Sequence, residues 1–136
     1  YVLVVVYTTG GDVLMLQRRD PPDFWQSVTG SLEPGESAVD AARRELQEET
    51  GLQLAVTDCQ RTNRFPIHPA WLARYAPDVS ENTEHVFHAT LPAPREITLN
   101  PDEHQAYRWL SVQQAAQLAS SSTNRDAIRA FAARPG

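Results

Sequence analysis

The chain is short of cysteine, aromatic residues, positive charge and long apolar runs, and each shortage excludes a class of protein. Cys59 is the one cysteine in 136 residues, so no internal disulfide can form, which suits a reducing cytoplasm. Only 12 Lys and Arg stand against 17 Asp and Glu, a formal charge of −5. A protein that grips nucleic-acid backbones carries a basic face, so no nucleic-acid partner is expected. No apolar run approaches the ~20 residues of a membrane-spanning helix, so no membrane partner is expected either. The opening "YVLVVVY" is too short for a signal peptide's apolar region with its basic flank, and it reads as a strand. The chain starts inside that strand without a methionine, which predicts a few preceding residues in the natural protein. Aromatic residues make up 8% and apolar residues 41%. Such a composition fits one globular domain over residues 1–136, burying about two thirds of its unfolded surface.

What is present is a succession of short elements. Residues 1–7 are β-branched and fit a strand buried on both faces. Gly10 and Gly11 turn the chain into a second strand at residues 13–18. The paired prolines of "RRDPPDF" make a loop, and residues 25–28 read as a short strand ahead of Gly30. From Ser37, a plausible N-cap, the pattern turns helical and Gly51 supplies its stop. Residues 52–64 contain a long strand candidate, 84–91 and 106–110 read as strands, and 112–119 and 124–133 as closing helices capped by Ser111 and by Thr123 or a nearby serine. The expected architecture is a mixed β-sheet flanked by helices, an α/β or α+β sandwich.

The first helix carries the chemical signal. Glu45, Glu48 and Glu49 fall within about one turn of each other, where like charges cost about 0.2–0.5 kcal/mol per pair. A solvated acidic face is the bland explanation. The alternative is a divalent cation, since carboxylate oxygens are the ligands that Mg²⁺ and Mn²⁺ prefer. The surroundings favour the cation. Gly30 ends a strand, "EPGE" makes a tight turn at Gly35, and Arg44 can pair with Glu36. Strand, turn and helix together make a rigid mount for metal ligands.

Gly30, five residues, Glu36, seven residues and "RELQEETGL" resemble the box of the Nudix hydrolases, with all its defined positions filled over residues 30–52. The resemblance implies an α/β/α sandwich and Mg²⁺-dependent cleavage of a diphosphate linked to another moiety, with Mn²⁺ as a substitute. It implies Glu45 and Glu49 as principal metal ligands, Glu48 sharing the metal or positioning water, and Arg44 and Glu36 as a supporting pair. Gly30 would offer its backbone carbonyl near the metal. Glu103, in the polar loop "NPDEH", resembles the downstream Glu that many members bring to the metal, so Glu48 and Glu103 are both candidates for general base. His104 reads as a loop residue.

Outside the box, "VLMLQRRDPPDFWQSVTGS", "DCQRTNRF", "RYAPDVSENTEHVF", "YRWL" and "STNRDAI" resemble the bacterial dihydroneopterin triphosphate pyrophosphohydrolases. That resemblance implies removal of pyrophosphate from a pterin triphosphate in folate synthesis. A general nucleoside triphosphate pyrophosphohydrolase and a non-catalytic Nudix ligand-binding module are the rival readings. A triphosphate on a flat ring makes sense of further residues. Arg18 rather than Arg19 is expected to reach a phosphate, and the Thr29 hydroxyl can join it. The long segment 65–81 exceeds the usual connection length. Phe65 could stack on the ring, with Ile67 and His68 as lesser contacts, while Trp71 and Tyr75 read as a small satellite core. Ser121 is either a ligand contact or a helix cap.

Overall fold

The computed structural model describes residues 1–66 and 81–132, and at 65–66 and 81–82 the backbone alone. Its elements are β1 (Val2–Thr8), β2 (Asp12–Arg18), β3 (Trp25–Gln26), β4 (Val28–Gly30), α1 (Ala38–Thr50), β5 (Thr57–Pro66), β6 (Glu81–Leu91), β7 (His104–Ser111), α2 (Val112–Leu118) and α3 (Ser122–Phe131).

The β-branched run of β1 becomes the centre of the sheet. One edge pairs parallel with β6 from Val2↔His85 to Thr8↔Leu91, and β5 pairs antiparallel with β6 beyond it. On the other edge β2 meets β1 at Tyr7↔Val13, while β4 pairs with its first half, Val2↔Gly30 to Val4↔Val28. The far edge of β2 is covered antiparallel by β7, and β3 pairs with the end of β2. The sheet is therefore mixed. The short strand expected at residues 25–28 is two strands broken at Ser27, because the Ser27 N–H leaves the ladder to donate to Asn124 Oδ1 at 2.8 Å.

Alternation along β1 sends its side chains to two different cores. Val2, Val4 and Val6 pack under α1 with Leu14, Leu16, Leu46 and Phe87. Leu3, Val5 and Tyr7 pack under α2 and α3 with Met15, Val86 and Ile128. With helices on both faces, the architecture is an α/β/α sandwich. The helix caps follow from the serines: Ser37, Ser111 and Ser121 each accept a backbone N–H in the first turn of their helix. Gly51 closes α1 at φ 76°, and its N–H donates to Gln47 O.

Several boundaries differ from the sequence expectation: β6 begins at Glu81 rather than at 84 and the last helix runs Ser122–Phe131 rather than 124–133, and two further shifts bear on the site. The strand expected within 52–64 begins only at Thr57. Leu52 instead turns into the α1-side core, and the backbone just before it pairs with a loop, Thr98 N–H donating to Thr50 O at 3.0 Å. His104, expected in a loop, opens β7 and is 1% exposed. It pairs in register with Arg18, so the ladder reaches further back than the apolar residues suggested.

Candidate active site

Helical period places the carboxylates of α1 in unlike environments. Ala41, Ala42, Leu46, Glu49 and Thr50 form its buried face, so Glu49 is carried into the molecule by the residues that anchor the helix. The side chain of Glu45 is 12% exposed and that of Glu48 54% exposed. The Glu49 Oε2 atom accepts the backbone N–H of Thr29 at 3.1 Å. Glu45 lies directly on Gly30, where an added Cβ would fall 2.1 Å from Glu45 Cδ. A side chain at position 30 would therefore displace that carboxylate.

Arg44 organises the acids around it. Its Nε and Nη2 hold both oxygens of Glu36, at 2.9 and 2.8 Å, in a bidentate pair that draws the Glu36 carboxyl down to about 2. Nη2 also donates to Ser31 O at 2.9 Å. Nη1 donates to Glu45 Oε1 at 2.9 Å and to Glu48 Oε2 at 3.2 Å. The turn that carries Glu36 is made by Gly35, at φ 77°, a conformation L side chains rarely adopt. One guanidinium thus fastens the turn to α1.

Glu103 arrives from the turn before β7, where its backbone N–H donates to Asn100 O at 3.1 Å. Glu49, Glu103 and His104 each offer a ligand atom, all within 4.8 Å of one another. The consequences for Glu49 are electrostatic. Burial, then the charges of Glu45 and Glu103, push its carboxyl up to about 10. Burial is also the first cause that raises Glu45, and burial lowers His104, which favours the neutral imidazole.

His104 is a site residue that the sequence reading passed over. Its Nδ1 lies 3.8 Å from Glu49 Oε1, too far for a hydrogen bond, and among the described residues it has no hydrogen-bond partner although it is buried. The Nε2 atom faces Gln26 Nε2 at 3.2 Å. The available signal was adjacency to Glu103, which the polarity of "NPDEH" masked.

These residues fit a divalent cation. Desolvated carboxylates that repel one another, an orphaned imidazole nitrogen beside them and a glycine that leaves room for Glu45 are the features a bound cation would satisfy. Oxygen-rich donor sets suit Mg²⁺ and Mn²⁺. The residues able to hold it are Glu45, Glu49 and Glu103, with His104 Nδ1 within reach of the last two. Glu48 is turned outward onto Arg44.

The carboxylates open into a cleft of about 510 Å³ lined by Arg18, Gln26, Thr29, Gly30, Arg44 and Glu103 among others. Arg18 lies on this cleft, its Nε donating to Asp20 O at 3.2 Å, whereas Arg19 Nε is tied to Pro101 O at 2.7 Å. A second cavity of about 400 Å³ adjoins it, sharing Tyr1, Gln26 and Thr29 as wall. Leu3, Phe24, Glu84 and the first turn of α3 complete its lining. Ser121 both caps α3 and borders this cavity. Ile67, His68, Trp71 and Tyr75 lie outside the described residues, and of Phe65 the structure describes only the backbone pairing with Asn82. The described lining of the second cavity comes from β1, β3, β4, β6 and the start of α3 with Phe24, and the ring pocket expected at 65–81 lies for the most part outside the described residues.

Comparison with known proteins places this geometry in a lineage. The profile of the NUDIX domain matches residues 1–131. The dihydroneopterin triphosphate diphosphatase of Escherichia coli strain K12 is 51% identical over 136 residues, covering 96% of this chain and 89% of the relative. The protein of that name from Haemophilus influenzae is 39% identical, covering 96% and 85%. A solved structure of the E. coli dihydroneopterin triphosphate pyrophosphohydrolase superposes with a TM-score of 0.85 at 50% identity, covering 96% of this chain and 92% of that one. With its box filled, its carboxylates gathered at one cleft and nearly its whole length matched, this chain belongs to the Nudix family.

Proposed function

We propose that the protein hydrolyses 7,8-dihydroneopterin triphosphate to dihydroneopterin monophosphate and pyrophosphate, an early step in folate synthesis, with Mg²⁺ as its cofactor and Mn²⁺ as a substitute. The observation that carries this reading is a 51% identity to the E. coli diphosphatase over 96% of the chain. A carboxylate cleft adjoining a second, ring-sized cavity supports it.

The reaction breaks the bridge between the α- and β-phosphoryl groups, water supplying the new P–O bond. Glu45, Glu49 and Glu103 would hold the cation, whose charge would offset that of the phosphates and lower the pKa of the attacking water so that it gives up its proton more readily. Arg18 and the Thr29 hydroxyl, on the same cleft, orient the triphosphate. The base that takes the proton of the attacking water is Glu103 or Glu48. Glu103 is preferred because it lines the cleft with Glu49, whereas Glu48 is exposed and held by Arg44. Arg44 touches no reacting atom in this scheme; it positions Glu45 and, through Glu36, the turn after Gly30. The single cysteine suits a cytoplasmic enzyme.

The test is pyrophosphate release by the purified protein with Mg²⁺ across dihydroneopterin triphosphate, dATP and other nucleoside triphosphates. A kcat/KM for the pterin well above that for dATP is expected. Equal values reject the folate assignment in favour of a general nucleoside triphosphate pyrophosphohydrolase, and no turnover of any triphosphate leaves a binding module.

A further inference from the structure

Glu84 has no part in the hydrolytic step, yet it is 4% exposed and is the one charged side chain among the described residues lining the second cavity. It lies on β6 two residues before Val86, which belongs to the core under α2 and α3, so it projects to the same face of the sheet. Its Oε1 accepts Asn63 Nδ2 at 3.1 Å, from the residue paired with it across the β5–β6 ladder. An amide oxygen at position 84 could also accept the Asn63 N–H, in a weaker neutral bond but without the cost of desolvating a charge. A carboxylate here needs another reason.

We infer that Glu84 reads the heterocycle, accepting hydrogen bonds from the ring N3–H and the 2-amino group of a 2-amino-4-oxopyrimidine edge; the inference rests on the substrate reading above. The chemistry is that of a carboxylate meeting two parallel N–H donors, as in a bidentate guanidinium pair. Phe24, half-buried in the cavity wall, offers a face on which the ring can stack. Leu3 adds apolar wall, and the shared wall at Thr29 leads the substituent toward the metal cleft. Adenine meets this arrangement badly. Beside its 6-amino donor stands a ring nitrogen lone pair, which would oppose one carboxylate oxygen, and a buried acceptor left facing an acceptor discriminates strongly.

The experiment measures kcat/KM of the wild-type enzyme with Mg²⁺ for dihydroneopterin triphosphate and dATP, then repeats both with Glu84→Gln. The substitution keeps the shape and the bond to Asn63 while removing one acceptor and the charge. The pterin-to-dATP ratio is expected to fall about 10- to 100-fold, chiefly through KM for the pterin substrate. A ratio unchanged by Glu84→Gln, or an equal loss on both substrates, overturns the role of Glu84 while leaving the folate reading intact. Absence of any pterin preference in the wild type overturns both. A second measurement needs no variant. Pterin and its 2-oxo analogue lumazine are compared as inhibitors of dATP hydrolysis by the wild type. Pterin is expected to bind at least about tenfold more tightly, and equal inhibition overturns the proposal.

Discussion

Glu49 is a carboxylate placed where its own charge is disfavoured. At neutral pH the metal-free folded protein keeps a proton there, since burial and the neighbouring Glu45 and Glu103 push the group from 4.5 up to about 10. The unfolded chain releases that proton near the ordinary carboxylate value. Between those two pH values the folded state binds more protons, so this group's contribution to stability falls as pH rises. Any cation that coordinates Glu49 must displace the proton. Calorimetric titration with Mg²⁺ near pH 7.5, in buffers of different ionisation enthalpy, is therefore expected to report release of about one proton per ion. Glu49→Gln should abolish the proton release and lower kcat more than about 100-fold while preserving the fold. A variant that turns over at the wild-type rate in saturating Mg²⁺ would show that Glu49 is no ligand.

At the scale of elements, the site depends on a strand end pressed against a helix. β4 ends at Gly30, and α1 lays Glu45 across it so closely that no Cβ fits. Gly30 is absent from the glycines with positive φ, so alanine is acceptable to the backbone and the conflict is purely with Glu45. Gly30→Ala should therefore displace the carboxylate, costing about 100-fold in kcat, with little change in Tm because the displaced group lies outside the apolar cores. Near-normal kcat would mean that Glu45 acts equally well away from Gly30.

The whole molecule is closed by a contact between residues far apart in sequence. Asn124, in the first turn of α3, accepts the Ser27 N–H at 2.8 Å and donates Nδ2 to Ser27 Oγ at 2.9 Å, both residues being 1% exposed. This joins the helix layer to the sheet at the break between β3 and β4, on the wall of the second cavity. Asn124→Ala leaves a buried N–H without a partner, at a cost of about 1–3 kcal/mol. Thermal unfolding should record a fall in Tm of roughly 3–10 °C, with Asn124→Asp, which keeps the acceptor, falling less. An unchanged Tm would mean that water or another group satisfies Ser27.

Local patterns wrote much of this structure into the chain. The β-branched run of β1, the serine caps, the αL stop at Gly51 and the spacing from Gly30 to Leu52 depend on neighbours within a few residues or on one helical period, so they were legible before any folding. The Arg44–Glu36 pair was legible for the same reason, since turn and helix bring residues eight apart together. Other features depend on which strands pair and which faces pack. Tertiary pairing broke the 25–28 strand at Ser27, drew His104 into β7 beside Glu49, and gave Glu49 and Glu48 opposite surroundings on one helix. It also assembled the second cavity from β1, β6 and the start of α3, segments with no sequence signal in common. A carboxylate's letter is the same at positions 48, 49 and 84; burial and partners, which long-range packing alone supplies, separate the exposed acid at 48 from the buried carboxylates at 49 and 84.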